Sequence, residues 1–200
     1  MIRITGGALR GRILRVPAEG VRPTPSIVRQ AVFSILFSLF PDGFWGRTML
    51  DLFSGSGVMA VEAVSRGFST ALCVEKARSV HQILEQSIDD IQLSMRVRTV
   101  NMDVRRFLHY NREAFDLIYM DPPYAQNELC THVLNSLLPE NIETVHIPLK
   151  PGGFVLLEQD ARAFPPETAG LLKRFSTRRW GQTQVSFYHV PENSRLSRLF

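Results

Sequence analysis

Apolar and polar positions follow two periods along this chain, and the switch between them predicts its elements. Ile2-Arg3-Ile4 and Arg12-Ile13-Leu14-Arg15-Val16 alternate with period two, so two short strands are expected. Gly6-Gly7 and Gly11 punctuate the turn between them, giving a hairpin edged with arginine. Arg22-Pro23-Thr24-Pro25-Ser26 then predicts an extended entry, with Thr24 or Ser26 as cap for a helix beginning near Ile27. That helix, IVRQAVFSILFSLF, has a broad apolar face and Arg29 as its one charge, so it packs on a protein body.

From Thr48 the pattern becomes strand–helix–strand. Strands are expected at 48–53, 70–75, 96–102, 115–120 and 154–159, with Lys150-Pro151-Gly152-Gly153 turning into the last of these. Helices are expected near 57–66, 77–93, 104–110 and 127–138. Two further strands, around 173–180 and 183–190, meet at Gly181-Gln182. The alternation predicts an α/β fold, a Rossmann-like, doubly wound and mostly parallel seven-stranded sheet with an N-terminal hairpin and helix extension. Residues 1–45 form that extension and 46–200 the main domain, and ligands are expected at the carboxyl ends of the strands.

Charge sharpens the picture. The net +4 is unevenly spread: residues 1–30 hold six arginines against Glu19, residues 173–200 hold Lys173 and five arginines against Glu192, and the middle is acidic. Basic ends on an acidic body point to a polyanionic partner. Arg3, Arg10, Arg12, Arg15, Arg22 and Arg29, together with Thr24, are the candidate contacts to that polyanion, since a guanidinium fork donates two hydrogen bonds to a phosphate at once. No apolar run approaches the ~20 residues of a membrane span, and the first residues lack the apolar core of a signal peptide, so a cytoplasmic location is expected. Cys73 and Cys130 fall in an apparent strand and helix and read as buried, reduced thiols. No Cys/His cluster has zinc-ligand spacing, so no metal is expected.

The candidate chemistry centres on Asp51-Leu52-Phe53-Ser54-Gly55-Ser56-Gly57. A buried strand that ends in an acid, turns through glycines and enters a helix is a nucleotide-type cradle. Glu75 ends the next strand some 20 residues on, where a carboxylate accepts the hydroxyls of a ribose. Gly55-Ser56-Gly57-Val58-Met59-Ala60 also satisfies G-x-G-x-x-A, so this register alone fits a dinucleotide or S-adenosylmethionine. Asp51 favours the latter, because a carboxylate at the turn repels a pyrophosphate and suits an ammonium. Phe53, Ser54, Lys76, Asp103 and Val104 complete the candidate cofactor set. Asp103 either accepts the adenine amine or caps the helix at 104–110.

The strand at 115–120 delivers Asp121-Pro122-Pro123-Tyr124. The prolines hold the backbone extended and remove two N–H donors. The Asp121 carboxylate and the Pro122 carbonyl then accept the two hydrogens of an exocyclic amine, and Tyr124 offers a face for its base to stack on. These four are the candidate catalytic residues.

Together, GGALRGRIL, RPTPSIVRQAVF, DLFSGSGVMAVEAVSRG, VEK and FDLIYMDPPY resemble the bacterial small-subunit rRNA guanine-N2 methyltransferases of the RsmD-like group. Gln30 and Val32 stand where that group often has Glu and Leu. The resemblance implies a class I methyltransferase fold, S-adenosylmethionine as donor, and a guanine N2 amine of 16S rRNA as acceptor. It also implies a substrate presented in an assembled or assembling small subunit, with a monomer expected. Three other readings remain open: a DNA adenine-N6 or cytosine-N4 methyltransferase, a nicotinamide-dependent oxidoreductase, and a non-catalytic rRNA-binding assembly factor. The first leaves little of 200 residues for target recognition, and Asp51 with Asp121–Tyr124 disfavours the second.

Overall fold

A computed structural model describes residues 1–16, 23–123, 127–139 and 146–191. The chain divides into two compact units, Met1–Asp103 and Val104–Phe200.

In the first unit, β1 (Ile2–Arg3) and β2 (Ile13–Leu14) pair antiparallel as a small ribbon. Helix α1 (Ser26–Leu39) follows, and then β3 (Thr48–Leu52), α2 (Val58–Ser65), β4 (Thr70–Glu75), α3 (Arg78–Asp90) and β5 (Val97–Asn101). β3 pairs parallel with β4, and β4 parallel with β5. β3 and β4 read as nearly unbroken apolar runs because both faces are covered, which is the condition of a parallel strand. Helix α1 is entered through Pro25, without a side-chain cap, so neither Thr24 nor Ser26 has the expected role.

Helix α2 is buried at every position, including Glu62 and Ser65. Its polar groups therefore need internal partners, and the N-terminal hairpin supplies them. Glu62 Oε1 accepts hydrogen bonds from the Thr5 N–H and hydroxyl, both at 2.8 Å, and from Arg29 Nε at 3.0 Å. Its other oxygen pairs with Arg66. The last turn of α2 is capped from the hairpin: Ala8 N–H donates to the Ser65 carbonyl at 2.7 Å and Leu9 N–H to the Ser65 hydroxyl at 2.9 Å. A side chain at Gly7 would put its Cβ 2.0 Å from that carbonyl, so the close approach requires glycine.

Arg29 is thereby corrected. Its remaining donors reach the Thr24 carbonyl at 2.6 Å and the Arg3 carbonyl at 2.8 Å, and it is only 3% exposed. With each of its three nitrogens bonded inside the fold, Arg29 has a structural role the sequence did not suggest, and Thr24 is buried with it.

In the second unit, α4 (Val104–Tyr110), β6 (Phe115–Met120), α5 (Asn127–Leu137), β7 (Leu149–Asp160), β8 (Thr168–Ala169), β9 (Leu172–Trp180) and β10 (Thr183–His189) follow in order. Their strand order is β6-β7-β10-β9-β8, parallel at β6–β7 and antiparallel beyond. Taken with the parallel strands β3–β5 of the first unit, the central strands are parallel and the antiparallel ones lie at one flank, so this is an α/β fold with a mostly parallel central sheet. Among the described residues the short β8 makes eight strands besides the ribbon, one more than expected.

Lys150–Gly153 also differs from expectation. Rather than preceding the strand, it lies inside β7 as an irregularity: Phe115 faces Leu149, but Leu117 faces Phe154. Gly152 has φ +70°, and a Cβ on Gly153 would sit 2.9 Å from the Asp116 carbonyl, so the glycines turn the chain without ending the pairing. Cys73 and Cys130 are buried and free, as expected. No helix among the described residues is long and apolar enough to cross a membrane.

The Glu62 cluster yields a stability prediction. Glu62→Ala strands Arg29 as a buried charge and should lower the free energy of urea unfolding by about 3–5 kcal/mol. A loss below about 1 kcal/mol would show that the cluster does not fasten the hairpin.

Candidate active site

The carboxyl ends of β3 and β4 lie side by side, with Asp51 opposite Cys73 and Leu52 opposite Val74. Beyond them the chain turns sharply through Phe53 (φ +64°), Gly55 (φ +51°) and Gly57 (φ +68°). A positive φ at phenylalanine costs on the order of 1–3 kcal/mol and persists only where surrounding bonds impose it. Here Ser54 imposes it. Its N–H donates to the Val74 carbonyl at 3.0 Å, its hydroxyl to the Asp51 carbonyl at 2.6 Å, and its own carbonyl accepts from Gly57 N–H at 2.7 Å. Gly57 then opens α2, and a Cβ there would meet Leu84 at 2.3 Å.

Glu75 closes the turn. One carboxylate oxygen accepts the Gly55 N–H at 2.9 Å and the other the Ala77 N–H at 2.7 Å. Each oxygen keeps acceptor capacity for a ligand. Sequence reasoning missed Asn101, whose amide donates to the carbonyls of Glu75 at 2.9 Å and Lys76 at 3.0 Å. It stands opposite Glu75 in the β4–β5 ladder, and an amide at a strand end beside a candidate acid is the signal that marks it. Lys76 is exposed and lies 3.1 Å from Asp103.

The strand ends here carry acidic charge. Asp51 is 2% exposed, and the Cys73 thiol is pushed well above its ordinary value, first by burial and then by the charge of Asp51. The Ser54 hydrogen bond opposes that rise and Glu75 adds to it. A site lined by Asp51 and Glu75 repels phosphates and favours a ligand with hydroxyl donors and positive charge.

In the second unit, β6 delivers Asp121, half-buried, then Pro122, buried, and Pro123, exposed. The strand is pinned just before them: Tyr119 donates to buried Glu158, and Tyr119 and Met120 face Leu156 and Leu157 of β7. Val104 is buried at the start of α4, and Tyr124 lies outside the described residues. The structure thus brings Asp51, Phe53, Ser54, Gly55, Gly57, Glu75, Lys76 and Asp103 to one end of the first unit's strands.

Of the basic set, Arg3, Arg10, Arg12 and Arg15 are exposed on the hairpin, and Arg22 lies outside the described residues. Arg3 and Arg10 line a cleft of about 600 Å³ with Pro23 and Ser26, while Arg15 pairs with Asp90 at 3.0 Å. Glu62, Ser65 and Arg66 were missed as partners of this hairpin. A lone glutamate in the apolar run VMAVEAV is the signal that could have found them, since a buried charge demands company.

Parallel strands alternating with helices, a glycine turn after β3 and an acid ending β4 fit a nucleotide-binding α/β fold, and the likeness to solved methyltransferase structures makes it the class I methyltransferase fold. The particular family follows from comparison. The chain belongs to the family described as conserved hypothetical protein 95, whose model matches residues 2–189. It is similar to YlbH of Bacillus subtilis (strain 168), described as a candidate rRNA methyltransferase, with 32% identity over 94% of this chain and 98% of that one. It is also similar to ribosomal RNA small subunit methyltransferase D of Escherichia coli (strain K12), with 35% identity over 64% of this chain and 63% of the relative. Among solved structures, Escherichia coli yhhF, described as a candidate methyltransferase, superposes with TM-score 0.77 at 28% identity, covering 94% of this chain and 96% of that one.

The thiols offer a check on burial at the site. Cys73 is raised well above its ordinary value and Cys130 to about 11, both first by burial. Both therefore stay protonated at pH 8 in the folded state. Alkylation of the native protein at pH 8 should label neither within the time that labels both after unfolding. Prompt labelling of Cys73 in native protein would contradict the packing at β3 and β4.

Proposed function

We propose that this chain transfers a methyl group from S-adenosylmethionine to the exocyclic N2 amine of a guanine in small-subunit ribosomal RNA. The observation that carries the proposal is Asp-Pro-Pro-Tyr following β6 in a chain whose relatives include ribosomal RNA small subunit methyltransferase D.

The residues present suit such a donor. Glu75, held by two backbone N–H groups, has acceptor capacity left for both ribose hydroxyls. Buried Asp51 receives the ammonium of the amino-acid portion, directly or through water. The strained turn at Phe53–Gly57 keeps side chains out of the ligand's path. When bound, S-adenosylmethionine supplies an electrophilic methyl on a sulfonium and leaves as a neutral thioether.

On the acceptor side, the Asp121 carboxylate and the Pro122 carbonyl accept the two amine hydrogens. That pair aims the nitrogen lone pair out of the ring plane and restrains its delocalisation into the purine. Asp121 then takes the proton released once the N–C bond has formed. Tyr124 stacks the base, which must be flipped out or presented in a loop. Most of the acceleration then comes from positioning rather than from a strong base. The exposed hairpin arginines hold phosphates of the same RNA, in the cytoplasm where subunits are assembled.

The test is transfer of tritiated methyl to small subunits lacking the modification, to naked 16S rRNA and to duplex DNA, followed by digestion to nucleosides. The expected product is N2-methylguanosine, formed with subunits. Asp121→Ala should lower kcat by about 10²–10³-fold or more while cofactor affinity stays within threefold. N6-methyladenine in DNA would overturn the acceptor. Cofactor binding without transfer to any nucleic acid would favour the assembly-factor reading.

A further inference from the structure

The basic character of the C-terminal region has no part in the site described above. Its described members, Lys173, Arg174, Arg178 and Arg179, all lie on β9. That strand carries an irregularity opposite Phe187 and Tyr188: Ser176 faces Phe187 but Arg174 faces Tyr188, so Phe175 is the extra residue. With strict period two, Phe175 would share a face with Thr177 and Arg179. The bulge removes it and puts Arg174 there instead. Phe175 turns to the aromatic residues Phe154, Phe187 and His189.

On the face so created, segment 161–167 forms a wall. Gln184 donates from its amide to the Ala163 carbonyl at 2.7 Å, and Tyr188 donates from its hydroxyl to the Pro166 carbonyl at 2.9 Å. Between wall and strand lies a cleft of about 590 Å³ whose lining includes Arg174, Thr177, Arg179, Gln184, Phe164 and Pro165, and which the bulged Phe175 still borders. Phe164 stands at its edge 97% exposed, on a backbone stiffened by Pro165 and Pro166. Arg179 bonds Gln184 at 3.2 Å, and neither Arg174 nor Arg179 has an acidic side-chain partner among the described residues.

We propose that this cleft is a second RNA-contact surface, which grips a single-stranded segment of rRNA away from the methyl-accepting base. The proposal rests on the rRNA reading above and deepens it. Arg174 and Arg179, roughly 13–17 Å apart along the strand, take phosphates. Phe164 supplies the stacking face for one base. The combination selects RNA over an acidic protein segment, which would use the two charges but leave the exposed ring and its rigid support without purpose. The competing account is that these charges only guard the part of β9 that the short β8 does not pair against joining another sheet.

Binding and turnover separate the possibilities. Arg174→Ala/Arg179→Ala, Arg174→Lys/Arg179→Lys and Phe164→Ala variants are compared with the wild type. The measurements are filter binding to small subunits and naked 16S rRNA between 50 and 200 mM salt, steady-state methyl transfer, and thermal unfolding. The double alanine variant should weaken RNA binding at least tenfold, reduce the salt slope by about 2, and raise KM for subunits while kcat and Tm hold. The lysine variant should recover most of the affinity, and Phe164→Ala should lose about 5–150-fold. Binding by all three within twofold of wild type would overturn the proposal and favour the edge-guard account. A loss confined to subunits, with naked rRNA unaffected, would also overturn it and assign the surface to a ribosomal protein. If the variants lose RNA binding as expected but the wild type methylates no RNA, the rRNA methylation reading fails while the contact surface stands.

Discussion

One hydrogen bond organises the functional end of the first unit: the Gly55 N–H to the Glu75 carboxylate at 2.9 Å. It joins residues 20 positions apart and fixes the tip of the glycine turn to the end of the neighbouring strand. The same carboxylate takes the Ala77 N–H, so it also sets the entry to α3, while Asn101 holds the carbonyl side of that entry. A carboxylate oriented by two backbone donors is preorganised: it need not be immobilised when a ligand arrives. The positive φ of Phe53 and the close fit of Gly57 on Leu84 are costs this arrangement sustains.

Support comes from behind. Helix α2 starts at the turn and carries Glu62 wholly inside the protein, a placement tolerable only because Thr5, Arg29 and Arg66 surround it. The N-terminal hairpin is thus a structural part of the cradle as well as a carrier of exposed arginines. Gly6-Gly7 lets the hairpin cap the far end of the helix whose near end is the glycine turn. Removing the hairpin would uncover a buried carboxylate, which explains why the two are built as one unit.

Much of this was legible along the chain, because buried parallel strands write themselves as apolar runs bounded by glycine and acid. The helix at 104–110 and the strand at 115–120 fall where their patterns put them. What escaped were features set by residues distant in sequence. Arg29 looks like a surface charge on a helix until Glu62, 33 residues on, is known to face it. Lys150–Gly153 has turn composition, yet the pairing of Leu149 with Phe115 keeps it within the strand. Local pattern identified Glu75 as an acid at a strand end, but its two N–H donors and Asn101 belong to tertiary contact. The bulge that brings Arg174 and Arg179 to one face has no sequence mark beyond a run of basic residues.

The central claim is that Glu75 is a preformed seat for the ribose of an adenosyl cofactor. Isothermal titration of S-adenosylhomocysteine and its 2′-deoxy analogue into wild type and Glu75→Ala tests it directly. The account predicts that the variant binds the parent ligand about 10–150-fold more weakly, the worth of a hydrogen bond to a charged group. It further predicts that the analogue binds wild type more weakly than the parent but binds the variant equally well. Equal affinity of wild type and variant for the parent ligand would contradict the account.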